Sequence, residues 1–140
     1  MREIVFRGMT KEGKWVEGLP FNYSNHGKIS TYIQTDKYAF KNGSIYGKEV
    51  WPETISECTG LKDKYGKKAF EGDKFQIPFQ SENSWYVIEW SESRASFIGT
   101  LFSYNERKDS YYHTMFDLRG FDENVIIGNI YEVQCTEKIK

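Results

Sequence analysis

Ala and Leu are scarce in this sequence, and no stretch accumulates Ala, Glu, Lys and Leu together, so no segment reads as a helix. Cysteine is limited to Cys58 and Cys135. The opening Arg2-Glu3-Ile4-Val5-Phe6 is no export signal, and no apolar run reaches the length needed to cross a bilayer. The expectation is therefore two reduced thiols in a cytoplasm, with no membrane and no disulfide. With His26 and His113 the two cysteines match no zinc spacing, so neither a metal nor a cofactor is expected. A charge excess is missing too: Lys plus Arg number 19 against 20 for Asp plus Glu, a net charge of -1. That excludes a protein whose whole surface is built for phosphate, leaving only a local basic patch.

Aromatic residues are what the chain has in quantity, 17% of it, as ten Tyr, ten Phe and four Trp. They suit strands. A chain of 140 residues fits one domain or two small ones sharing an interface. Glu53 to Asp73 reads as a turn-dense connector around which the rest is arranged. Within it Asp63-Lys64-Tyr65-Gly66 is a tight reversal, with Gly66 able to take the positive φ such turns need. Glu71-Gly72-Asp73 breaks the chain again.

Before the connector, Glu3–Gly8 and Lys14–Glu17 read as a hairpin that Leu19-Pro20 ends. Phe21–Gly27 reads as a loop from its Asn, Ser, His and Gly. Lys28–Gln34 reads as a strand, Asn42-Gly43 as a hairpin turn, and Trp51-Pro52 as the end of that region. After the connector come strands at Lys74–Phe79, Trp85–Trp90, Ala95–Tyr104, Tyr111–Leu118 and Val125–Tyr131, with a bulge expected at Gly99. Short strands separated by turn residues suggest a small closed or partly open barrel. The echo between Lys11–Gly18 and Lys64–Gly72 reflects shared turn chemistry, not a duplication.

The run Thr59-Gly60-Leu61-Lys62-Asp63-Lys64-Tyr65-Gly66-Lys67-Lys68, followed by Phe70-Glu71-Gly72-Asp73, resembles the signature of the YopX-like bacteriophage protein family. So do Arg2–Arg7 at the start, Val87-Ile88-Glu89-Trp90 in the middle and Ile127–Glu132 at the close; Cys58 and Tyr65 depart from the commoner aromatic and Asn. The resemblance implies a phage or prophage protein in the cytoplasm of a bacterial host cell. It also implies a mainly β chain: an N-terminal β-hairpin-rich part over 1–57 and a small SH3-like barrel over 58–140, intimately packed and open to being one structural unit. Assembly into a homo-oligomer is part of the same implication; no activity or catalytic residue is.

Three constellations are candidates for chemistry. Glu71, Asp73 and Asp63 could gather at a cation, but capping of turns by Asp side chains is the simpler role, with Gly60, Asp63, Gly66, Glu71, Gly72 and Asp73 forming a structural turn motif. His113 with Cys58 or Cys135 could imitate a nucleophilic pair, but nothing supplies an orienting third group. Trp85 and Trp90 with Arg94, Arg107, Lys108 and Arg119 form an aromatic and basic set suited to stacking on single-stranded nucleic acid or to a protein interface. The sequence thus predicts no enzyme. It predicts a self-assembling interaction module with host or phage protein partners, and a nucleic-acid-binding barrel as the alternative.

Overall fold

The computed structural model describes residues 4–77, 84–105 and 110–132, with the backbone alone described over 102–105 and 110–117. The chain is mainly β and divides between Cys58 and Thr59 into two compact units.

The first unit holds strands β1 (Phe6–Thr10), β2 (Trp15–Gly18), β3 (Pro20–Asn25) and β4 (Lys28–Gln34). A two-stranded ladder of β5 (Phe40–Lys41) and β6 (Ser44–Ile45) follows, then most of the long strand β7 (Gly47–Lys62). The sheet runs β2-β1-β7-β4-β3, antiparallel throughout. Asn42 and Gly43 make the predicted turn, with φ of 53° and 77°.

Two expectations fail in this unit, each for a physical reason. The segment read as a loop is β3, paired residue by residue with β4 from Pro20↔Ile33 to Asn25↔Lys28. Its polar residues are the outward half of an alternation whose other half is Phe21 and Tyr23, and the true reversal is His26-Gly27, with φ of 51° and 82°. Nor does Trp51-Pro52 end anything, because β7 runs straight through it. A step of two residues on β1, Arg7 to Met9, spans a step of five on β7, Ser56 to Trp51, so Pro52 falls in a bulge where no ladder donor is required. The Met9 N–H donates instead to Thr54 Oγ1 at 2.8 Å, and Thr54 Oγ1–H donates to the Trp51 carbonyl at 2.6 Å. The Thr54 hydroxyl thus gives the Met9 N–H an acceptor inside the bulge.

The end of β7 belongs to the second unit, where β8 (Lys68–Phe70) pairs with it. The predicted connector is therefore mostly strand: Gly60 lies inside β7, and the turns are confined to 63–67 and 71–72. Next come β9 (Asp73–Gln76), β10 (Ser84–Ser91), β11 (Ser96–Asn105) and β12 (Ser110–Asp117), then a 3-10 turn at Phe121–Glu123 and β13 (Val125–Asn129). The order β12-β11-β10-β9-β13 curls into a half-barrel. Its core is Ala69, Phe75, Tyr86, Ile88, Phe121 and Ile126, with the Phe75 ring stacked on Tyr86 at 5.1 Å and edge-on to Phe121 at 4.9 Å.

Gly99 is not a bulge. Its pairing is regular on both sides, and a Cβ there would meet the Phe75 ring at 2.9 Å, so the glycine makes room for that ring. The bulge sits at Ile127, between Ile126↔Phe75 and Gly128↔Lys74. The last strand also stops sooner than expected, at Asn129, whose Oδ1 accepts the Tyr131 N–H at 2.8 Å as residues 130–132 turn helically. Among the described residues no helix is long and apolar enough to cross a membrane. Pro78 and the polar tail from Thr136 lie outside the described residues.

Candidate functional site

The acidic residues of the central motif are each fixed by the local chain. Asp63 opens the turn between β7 and β8, and its buried carboxylate accepts three backbone N–H groups: Tyr65 and Lys67 on Oδ1, both at 2.9 Å, and Ile126 on Oδ2 at 3.2 Å. Burial raises the Asp63 pKa. The N–H bonds from Lys67, Ile126 and Tyr65, with the Lys67 charge, outweigh that and hold the carboxyl below its ordinary value. Asp73, 1% exposed, accepts the Phe70 N–H on Oδ2 at 2.9 Å and the Asn129 side-chain amide on Oδ1 at 3.0 Å. Both aspartates thus tie β13 to the hairpin formed by the end of β7, β8 and β9, across 63 and 56 residues of sequence. Their oxygens converge on amides, and among the described residues no three His, Cys, Asp or Glu side chains gather where a metal would sit. Asp63 and Gly66 lie in the first turn and Glu71, half-buried, and Gly72 in the second, with Asp73 opening β9 directly after it.

The aromatic and basic set is divided by the strand that carries it. Trp85 and Trp90 stand five apart on β10, and alternation sends them to opposite faces. Trp85 is half-buried under the Lys74 ammonium, 4.8 Å from its ring centre. Trp90, 46% exposed, shares the face of Tyr86 and Ile88 and meets Phe97 edge-to-face at 5.1 Å. Arg94 is exposed in the turn between β10 and β11, and Arg119 is exposed beyond β12. Arg107 and Lys108 lie outside the described residues, as do Cys135 and the side chain of His113. Cys58 is a buried free thiol in β7.

Three further features emerge only from the folded chain. A groove of about 480 Å³ beside the β1–β2 turn is lined by Lys11, Lys14, Trp15, Lys48 and Glu49 among others, with Lys11 paired to Glu49 at 3.3 Å. A second pocket, about 350 Å³, is lined by Glu71, Glu89, Trp90 and Tyr131 among others. On the first unit Phe21 stacks on Tyr32 at 5.5 Å and meets Phe40 edge-on at 5.5 Å, with Tyr23 tilted to Phe40 at 5.7 Å. Within that cluster Phe40 is 53% exposed; elsewhere on the same unit Tyr38 is 50% exposed, and Ile29, on the opposite face of β4 from Tyr32, is 69% exposed. The one signal for it in the sequence is the Phe21, Tyr23 alternation, hidden among Asn and Ser.

No curated protein matches this sequence. Residues 5–134, nearly all of the described structure, match the sequence model of the YopX protein family, and this span takes in the aspartate-locked turns, both pockets and the aromatic cluster. The chain belongs to the YopX protein family.

Proposed function

We propose that this chain is a non-enzymatic, self-assembling interaction module of phage type, working in the cytoplasm of a bacterial host. In this reading the second unit is a small SH3-like barrel, for which the curled five-stranded sheet is the support. The observation that carries the proposal is the aromatic cluster of Phe21, Tyr23, Tyr32 and Phe40 on one small unit, in which Phe40 stays 53% exposed and the other three rings only partly buried. Aromatic side chains grouped at a surface offer large, rigid, amphipathic contact area, the material of association interfaces. The engagement of Asp63 and Asp73 by buried amides and an asparagine argues in the same direction, because it leaves them structural.

Light scattering on a sizing column tests the proposal. A defined multimer at micromolar concentration is expected; a monomer that captures no host or phage protein sinks it. A second reading, nucleic-acid binding through the second unit, draws on the exposed Trp90, Arg94 and Arg119. Trp85 and Trp90 on opposite faces of β10 weaken it, since a stacking platform needs its rings on one side. Oligonucleotide titration at low salt decides: binding that fades with salt supports this second reading.

A further inference from the structure

The pocket beside Trp90 is lined by acidic and aromatic residues. It lies where β10 outruns its neighbour: β9 pairs with β10 only at Tyr86↔Phe75 and Val87↔Lys74, while β10 continues to Ser91. In the gap the chain reverses at Gly72, whose N–H donates to the Ile88 carbonyl at 2.8 Å and whose carbonyl accepts the Ile130 N–H at 3.0 Å. These bonds make a rigid floor. The Tyr131 ring stands against Gly72, so close that a Cβ on residue 72 would meet it at 2.9 Å. The residues that line the pocket include Trp90, on the core-side face of β10, and Glu89, on the opposite face.

Glu71 and Glu89, and the aromatic residues Trp90 and Tyr131, are among the residues that line this space of about 350 Å³, and among the described residues no Lys, Arg or His does. Glu89 is held by Thr100, whose Oγ1–H donates to Oε2 at 2.8 Å. Phe97 braces the indole of Trp90 across the β10–β11 pair. An aromatic face attracts a cation through the ring quadrupole, and nearby carboxylates add charge attraction. The volume falls within the range of small-molecule sites. We infer that this pocket receives an organic cation, an ammonium or guanidinium carried on an alkyl chain, as on a basic side chain of a partner polypeptide or on a polyamine. The inference goes beyond the assembly reading and does not need it: a monomer could bind the cation equally well.

Titration of the isotopically labelled full chain, followed by NMR at the Trp90 indole and the Gly72 amide, tests the site. The probes are acetyl-arginine amide and spermidine, with acetyl-glutamate amide as the anionic control. Saturable shifts at both positions are expected with the cations and none with the anion. Glu89→Gln keeps an acceptor for Thr100, so it removes charge while preserving the fold. It and Glu71→Gln are each expected to weaken binding about threefold, and Trp90→Ala about tenfold. Tighter binding of acetyl-arginine amide supports the site and assigns it to a basic side chain; tighter binding of spermidine supports it and assigns it to a polyamine. No saturation with either cation, or an unchanged response in the Glu71→Gln, Glu89→Gln double variant, overturns the inference.

Discussion

The two units solve the problem of a short β chain differently. The second concentrates Phe75, Tyr86 and Phe121 in one buried cluster and pins its last strand with two buried aspartates. In the first, the fully buried apolar side chains among the described residues are the smaller Met9, Ile33 and Val50, set among buried Arg7, Thr10, Thr54 and Ser56. Arg7 lies over the Trp15 ring, its guanidinium carbon 4.1 Å from the ring centre. Four aromatics of the first unit, Phe21, Tyr23, Tyr32 and Phe40, cluster where they stay partly in water. The difference teaches that aromatic content alone does not locate a core. In one unit the rings are packed into the core; in the other they stay partly exposed.

The sharpest way to break that contrast is to empty the second core. Phe75→Ala removes a ring in contact with two others and is expected to cost about 4 kcal/mol, read by urea unfolding. A cost below about 1 kcal/mol would mean that the cluster does not carry this unit's stability.

Next is the aspartate clasp. Asp63→Asn keeps an acceptor for Tyr65 and Lys67 but sets an amide donor against the Ile126 N–H, or the reverse if the amide is flipped, at a cost of about 2 kcal/mol. Because the folded protein holds the Asp63 pKa below its ordinary 3.8, the carboxylate contributes stability that is complete above that value. The contribution is lost as pH falls through the lowered pKa. The wild type should therefore lose stability in acid along a steeper slope than Asp63→Asn, and parallel pH profiles would contradict this account.

A smaller effect is expected in the first unit, where Thr54→Val strands the buried Met9 N–H; about 1.5 kcal/mol should be lost. The smallest is Phe40→Ser, at 53% exposure, expected to change stability by less than about 0.5 kcal/mol while lowering the mass seen by light scattering. A variant that unfolds instead would place Phe40 with the core residues and erase the contrast between the units.

Much of the second unit was legible in the sequence because its signals are local. β10 follows from the aromatic and β-branched run at 85–90, and the Asp63 and Asp73 turns follow from Gly and Asp at fixed spacings. The first unit was harder to read. β3 looks polar because half its residues face outward, and β7 crosses Pro52 because the proline falls in a bulge where no ladder donor is required, with the Thr54 hydroxyl accepting the Met9 N–H there. Neither fact is present in any short window. The Trp90 pocket was half visible: Trp90 and Glu71 stood out among the site candidates, while Glu89 and Tyr131 were noticed only within longer motifs.

By itself the sequence determined that the chain is mainly β, that tight turns fall at Asn42-Gly43 and at 63–66, and that Asp63 and Asp73 belong to turns. These depend on side-chain alternation and on contacts within a few residues. Only tertiary structure decided that the same aspartates reach Ile126 and Asn129, and that Gly99 clears space for Phe75. The same holds for the meeting of Glu71, Glu89, Trp90 and Tyr131 around one pocket. Contacts across dozens of residues depend on which strands pair and in what register, and register is set by the whole buried face at once.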